Sequence, residues 1–499
     1  MPTTPRCWQN SGCWQVMKLA ELQNFSERQD RVLLQNTRIL HVKIEVLNNH
    51  DIVTGEVSGE VISGSYTISA SAAIRRTASV TLRLQESFLP DADTVFWINR
   101  KFRLYLGIEE ADSGEIIWFP KGTYAIQDPS IDVTLEGNTM TISGLDKMAL
   151  YTGDISGYLA DAYLIEIDPE KEPVTIREAV EAIMKDSGES DMHLILANEK
   201  DENMCIPYKI ESAVGDTRYT LLETLTNLFY NYQCYFDIDG TFVFAPKPTF
   251  ELENYPVQWD FRAHNLLISV QRNILYSNVK NKITVYGAVH DDGYQPKYEI
   301  IVDEAHYPHS PFTVEKLDEY VRFDPATGTG VRMYRDYVTQ EDSYVSAVRE
   351  FQGGSAYRAD DIVLSKGKHY RCLTDIPAGS YFSPETETAY WQFIDTGMNE
   401  DGEIIDHETY EAAMAVIHAA AIDLCQSKAL EEVYNHQQAT DTINCTCLPI
   451  YSLDVNSVIL LDDPVSGASG KYVVTEISCG LGAGEIMNFT ANKLWKDVT

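Results

Sequence analysis

Three aromatic residues in a short, turn-rich stretch offer the clearest chemistry in this sequence. Between Gly353 and Asp395 stand Tyr357, Tyr370 and Trp391, punctuated by Gly367, Gly379 and Pro384. The flat face of a sugar stacks on an exposed aromatic ring while nearby hydroxyls, amides and carboxylates hydrogen-bond its rim. The three rings are therefore candidate glycan contacts. So small a unit also needs a core, and its aromatics are its largest apolar groups, so one or two of them would be buried instead.

Other chemical motifs are incomplete. GASGKY at 467–472 has a Gly-Lys pair but not the spacing of a phosphate loop, nor a Ser or Thr after Lys471. GLGAG at 480–484 is out of register for a dinucleotide loop and precedes a strand rather than a helix. Both read as strand-connecting turns. His306 and His309, with His290, Asp291 and Asp292 nearby, lack the convergence a metal needs, because Pro308 and Pro311 interrupt them. No Gly-x-Ser-x-Gly elbow and no His-Glu-x-x-His helix is present. Paired carboxylates for glycoside hydrolysis are a property of the fold, and nothing in the sequence singles out a pair. The expectation is a non-enzyme without metal or cofactor.

The cysteines at 7, 13, 205, 234, 372, 425, 445, 447 and 479 are scattered and odd in number, which suggests reduced thiols. Neither the Cys7/Cys13 pair nor the Cys445-Thr446-Cys447 triplet has a second ligand pair at zinc spacing. With 39 basic against 75 acidic residues the net charge is -36. Such a surface repels nucleic acid over a Debye length of about 10 Å, which excludes phosphate clamping but suits a conduit through which DNA slides. Simple solubility explains the same charge. No run approaches the about 18 apolar residues of a membrane helix, and the N-terminus has no apolar block of a secretory signal. A cytoplasmic site of synthesis and assembly is expected.

The elements that would hold these residues fall into an α+β, mainly β, chain. A helical N-terminal extension (1–38) precedes a strand-dense unit (39–150), where Val80, Leu82 and Leu84 alternate with polar residues. Short strands are expected at 102–108, 116–119, 124–127 and 139–143. In the α+β unit at 151–250, Thr175 and Glu178 predict a capping box, Leu221, Leu222, Leu225 and Leu228 a helix, and Asp239-Gly240 a hairpin turn. Strands before and after an insertion (346–396) are expected to pair, making one discontinuous β unit of 251–345 plus 397–499. It contains a long amphipathic helix marked by Tyr410, Ala413, Met414 and Ile417.

Two resemblances follow from these residues. The aromatic and turn pattern of 353–395 resembles the short carbohydrate-binding modules of chitinases. Over 39–345 plus 400–499 the order of pieces resembles the phage tail hub family, which includes baseplate hubs, late-control D proteins and siphophage distal hub or tail-associated proteins. The pieces are Arg75-Arg76 within Gly64–Leu84, Trp118–Tyr124, Gly144–Ala149, Ser310–Lys316 and Gly470–Val474 with Phe489–Ala491. The resemblance implies two tube-like antiparallel β-barrel domains per subunit and a homotrimeric ring that imitates a six-fold tail tube. It implies distal tail or tube protein, tape measure protein and fibre or spike protein as partners, a host surface glycan for the insert, and passing DNA without specific binding. Because the sequence ends at Thr499 after the last strand, any fibre or lytic activity is expected on another polypeptide. A carbohydrate-active enzyme or adhesin is the alternative, disfavoured by the missing signal, disulfides and acid–base motif. A tailocin or contractile-injection hub shares the expected fold.

Overall fold

The computed structural model describes residues 27–494 except 92–93, 136, 166–173, 197–198, 203, 205, 207–209, 230–231, 248–255, 288, 290–293, 341–348, 360, 367, 378, 396–405 and 439–440. Cys7, Cys13, Cys205, Gly367 and the His290–Asp292 group lie outside the described residues. The chain is α+β and mainly β.

The first β unit comprises β1 (Leu40–Leu47), β2 (Val53–Ser58), β3 (Val61–Ser69), β4 (Arg76–Arg83), β5 (Lys101–Glu109), β6 (Ile116–Val133) and β7 (Asn138–Asp146). Their spatial order is β3-β4-β7-β6-β5-β1-β2, antiparallel throughout. Alternate residues of β4, including Ala78, Val80 and Leu82, are buried, as a period of two requires on a half-covered sheet. The two strands expected at 116–119 and 124–127 are one strand. Pro120 has no N–H to give the ladder, and a bulge beside it, where the register shifts between Leu104 and Tyr105, lets pairing continue.

The α+β unit holds β8 (Tyr163–Ile165), β9 (Met192–Leu194), β10 (Ile210–Ser212), β11 (Tyr232–Phe236) and β12 (Phe242–Pro246). The helices Ile176–Asp186 and Arg218–Asn227 and the strands β11 and β12 bury a common core that includes Ile176, Val180, Leu222, Leu225 and Phe244. The capping box forms: Thr175 Oγ1 accepts from Glu178 N at 3.1 Å, and Glu178 Oε2 accepts from Thr175 N at 2.9 Å.

The second β unit begins with β13 (Trp259–Asp260) and β14 (Leu267–Ile274). The chain then leaves for a separate sheet, β15 (Lys282–Tyr286) between β16 (Lys297–Ile301) and β19 (Asp336–Gln340), and a hairpin of β17 (Tyr320–Asp324) and β18 (Thr329–Arg332). A small four-stranded sheet follows: β20 (Arg349–Glu350), β21 (Ile362–Ser365), β22 (Lys368–Cys372) and β23 (Trp391–Phe393). The helix His407–Gln438 packs Cys425, Ala429 and Val433 onto Ile283, Val285 and Ile300. The chain returns through β24 (Asp441–Cys447), β25 (Val458–Asp463), β26 (Ala468–Gly480) and β27 (Met487–Lys493). This corrects the expected second unit. Among the described residues of 251–345, only β13 and β14 pair with the C-terminal strands, whereas β15, β16 and β19 build their own sheet against the long helix.

The two β units repeat one topology. The strands β14, β24, β25, β26 and β27 follow the chain order of β3, β4, β5, β6 and β7, and β14-β24-β27-β26 lie in the spatial order β3-β4-β7-β6, with β25 on β26 as β5 is on β6. Bulges coincide, between Val61 and Ser63 opposite Leu82 and between Leu267 and Ser269 opposite Cys447. Gly122 opposite Leu104 matches Gly470 opposite Leu461, and both glycines have positive φ, which a side chain would resist. The buried Tyr124 matches the buried Tyr472 two residues on. In the first unit the β3–β4 connection is a turn at 70–75; in the second, the equivalent β14–β24 connection is all of 275–440. The two units are joined edge to edge. Glu476–Gly480 of β26 pairs antiparallel with Ser65–Ser69 of β3, giving one 13-stranded sheet among the described residues.

Candidate functional site

The small module places the three predicted aromatics in its own core. Trp391, Tyr357 and Tyr370 are all buried, with Phe351, Val363, Cys372 and Ile376 around them. Tyr357 meets Trp391 edge-on, with ring centroids 5.0 Å apart, and stacks on Phe351 at 5.7 Å. Trp391 Nε1 donates to Phe382 O at 2.8 Å, and Tyr357 Oη donates to Gln352 O at 2.9 Å. The expectation that these rings face a ligand is therefore corrected. With so few other large apolar groups available, the module uses all three as core. The rings left open to solvent are Tyr381 and Phe393. The module is also tied to the body, since Gln352 Nε2 donates to Ile206 O of the α+β unit.

A second arrangement lies at the junction of the units. Arg76, at the start of β4, is almost fully buried and forks onto Asp454, Nη1 to Oδ1 at 2.9 Å and Nη2 to Oδ2 at 2.7 Å. Burial alone would lower the Arg76 pKa, but Asp454 raises it; Asp454 is in turn held below the usual carboxylate range despite its burial, by Arg76. Lys121, in the β6 bulge, is fully buried, donates to Tyr451 O, and lies 5.4 Å over the Tyr66 ring; burial pushes its pKa down to about 8. The backbone N–H groups of Arg76 and Met148 both donate to Asp146, at 2.8 Å each, yet burial still pushes this carboxyl up to about 6.

The α+β unit is tied in the same way. Arg75 Nη2 donates to Gln233 Oε1 at 2.6 Å and its guanidinium lies 3.7 Å over the Tyr235 ring, with burial lowering its pKa. Lys147 joins Asp51 of the first unit at 2.9 Å and Glu189 of the α+β unit. Arg75, Arg76 and Lys121 lie within the stretches Gly64–Leu84 and Trp118–Tyr124, where the sequence alone assigns them no role. The detectable signal was two adjacent arginines opening a strand of alternating apolar residues. Chemically, the cluster holds three units in one fixed orientation, because separating them would strand buried charges.

No family model and no curated protein matches the chain. Solved structures do. The 43 kDa tail protein of prophage MuSo2 from Shewanella oneidensis is similar at TM-score 0.50 and 10% identity, over 91% of this chain and 98% of that one. The chain has a phage tail-protein fold. The tail protein from Neisseria meningitidis MC58 aligns at TM-score 0.48 and 10% identity, over 91% and 98% of the two chains. Prophage tail protein gp18 from Listeria monocytogenes EGD-e aligns at 0.44 and 11%, over 91% and 96%.

Within this tail-protein fold the other motifs take structural places. Residues 464–467 form the β25–β26 turn and 481–486 join β26 to β27. His306 is exposed, with Nδ1 2.8 Å from Asp303 Oδ1. Cys445-Thr446-Cys447 is part of β24, with both thiols buried and free. Among the described residues no group of three or more His, Cys, Asp or Glu is disposed to hold a metal.

Proposed function

We propose that this protein is a structural component of a phage-type tail: a hub that forms a trimeric ring at the tail tip, closes the tube, lines the DNA channel and anchors the adhesion apparatus. The observation that carries the proposal is the repeat of one five-strand topology within a single sheet. Two equivalent units per chain make three copies match a six-fold tube, and a closed ring covers sheet edges that would otherwise invite aggregation. The buried Arg76–Asp454 and Lys147 ties supply the rigidity that such a ring needs. Its neighbours would be the distal tail or tube protein, the tape measure protein and a fibre or spike protein, assembled in the host cytoplasm.

The acidic excess suits a lumen that releases DNA, and the module decorates the outside. A glycan contact made by the module falls to Tyr381 and Phe393, weak per copy and strengthened by three copies acting together. The hub itself has no hydrolytic activity in this proposal. Imaging the assembled particle with this chain labelled tests the core of it: three copies in a ring at the tube end are expected. A six-copy ring, or single copies decorating the surface, overturns it.

A further inference from the structure

The end of the small module where β21 turns into β22 runs against the charge of the chain. Acidic residues outnumber basic ones by nearly two to one overall, yet residues 362–374 include Lys366, Lys368, His369 and Arg371 and no aspartate or glutamate. Lys366 sits in the two-residue turn between Ser365 and Lys368, with φ 49°. Such turns favour Asn, Asp or Gly there, because a longer side chain resists positive φ. A lysine at this position carries a conformational cost, and it sets an ammonium group at the tip, on a side chain that is 72% exposed.

Beside the tip an aromatic ring is open to solvent. Phe393, the last residue of β23, is 49% exposed. It leans on Tyr370, with ring centroids 5.6 Å apart, and Tyr370 is buried in the module core. The exposed ring therefore stands on a fixed support. Lys368 Nζ lies 5.9 Å from the Phe393 centroid, near the limit of a cation–π contact.

A carboxylate completes the group. Glu385 Oε1 accepts from Ser365 Oγ at 2.6 Å, and Oε2 accepts from Ser383 Oγ. Burial alone would raise the Glu385 pKa, but the two hydroxyls hold it below the ordinary carboxylate value. Its distance from Lys366 Nζ is 4.0 Å, so it offsets part of that charge without closing over it. Each of its oxygens keeps a lone pair for a further donor.

We infer that this end of the module is a glycan site whose ligand carries a negative substituent, a phosphate or a carboxylate. The sugar ring lies on Phe393, its hydroxyls donate to Glu385, and the anionic group reaches Lys366 and Lys368. A ring alone would suit any sugar; the two ammonium groups beside it select a charged one. Lysines are compact point charges on flexible stems, suited to a substituent that differs in position from one sugar unit to the next. A single open ring among charged groups is too small an apolar patch for a stable protein contact. The inference rests on the glycan contact proposed above for the module and names its ligand class.

Cosedimentation of the full-length chain with host cell-wall fragments tests it. The fragments are compared untreated, freed of protein with protease, stripped of phosphodiester-linked polymer with hydrofluoric acid, and with their carboxyl groups amidated. Binding should survive protease and fall about tenfold after one of the last two treatments, which tells phosphate from carboxylate. Phe393→Ala, and Lys366→Gln combined with Lys368→Gln, should each weaken binding to untreated fragments about tenfold while the module stays resistant to protease. Arg358→Gln, at an exposed cation of the same module outside this group, should leave binding unchanged. Equal binding to all four samples, with Phe393→Ala still defective, overturns the anionic class and leaves the glycan contact standing. Full binding by both site variants overturns the site. Binding lost with the wall proteins overturns it in favour of a protein partner. No binding of the unsubstituted chain to any sample overturns the site and the glycan contact together.

Discussion

Arg76 and Asp454 are fixed to each other by two parallel hydrogen bonds, 2.9 and 2.7 Å, at the seam where β3 meets β26. Fork-to-carboxylate geometry makes this pair both strong and specific in orientation. Arg76→Ala should cost about 3–5 kcal/mol in urea unfolding, because it leaves a buried carboxylate without its partner. Arg76→Met combined with Asp454→Leu should cost clearly less, since no charge is then stranded. Equal losses for the single and double variants would remove the pair from the account of the seam.

Lys121 predicts an alkaline stabilisation. Its pKa falls from 10.5 to about 8 on folding because burial disfavours the charged form. Between those values the unfolded chain binds more protons than the folded one, so this group's contribution to stability rises with pH. Below about pH 8 both states are protonated and the penalty is fully present. Relative to Lys121→Met, the wild-type chain should gain about 3 kcal/mol between pH 8 and 10.5, followed by denaturant midpoints at each pH. Parallel pH profiles for the two proteins would contradict the burial argument.

In the small module, Trp391→Ala should open the core. Removing a buried indole costs about 3–5 kcal/mol, and protease cleavage inside 349–395 should then become rapid while the rest of the chain resists. Tyr381→Ala should leave the module protease-resistant and reduce adsorption of assembled particles to host cells. Intact adsorption with Tyr381→Ala and Phe393→Ala together would remove glycan contact from the proposed function.

The whole of 275–440 sits in one connection between adjacent antiparallel strands. Replacing it with the turn sequence of 70–75 should preserve the β14–β24 pairing and leave a soluble, cooperatively unfolding sheet protein, checked by circular dichroism and a single urea transition. Insolubility of that shortened chain would mean that the insertion stabilises the sheet it interrupts.

Because counterion release needs cationic surface, the assembled protein should leave duplex DNA unshifted in a gel even at low salt. A salt-sensitive shift would point to a basic lumen and defeat the proposed channel.

Much of the architecture was legible in one dimension. Alternation along β4, the capping box at Thr175 and Glu178, the Asp239-Gly240 hairpin and the long helix are all set by neighbours within a few residues, so their sequence signals are local. What pairs with what was not local. That β26 runs past β25 to reach β3, some 400 residues away in the chain, depends on long-range closure that no periodicity records. The repeat was equally hidden, because its signature lies in bulge positions and in glycines at matching registers rather than in similar residues. The candidate site shows the same division. Sequence located Tyr357, Tyr370 and Trp391, but an aromatic ring serves equally as core or as platform, and only the packing of a small module, in which they close around Phe351, decided that all three face inward. The charge of -36 was fixed by composition; that Arg76 and Lys121 lie inside, joining units, was decided by the tertiary fold alone, since burial is a property of the assembled sheet and not of any residue's neighbours in the chain.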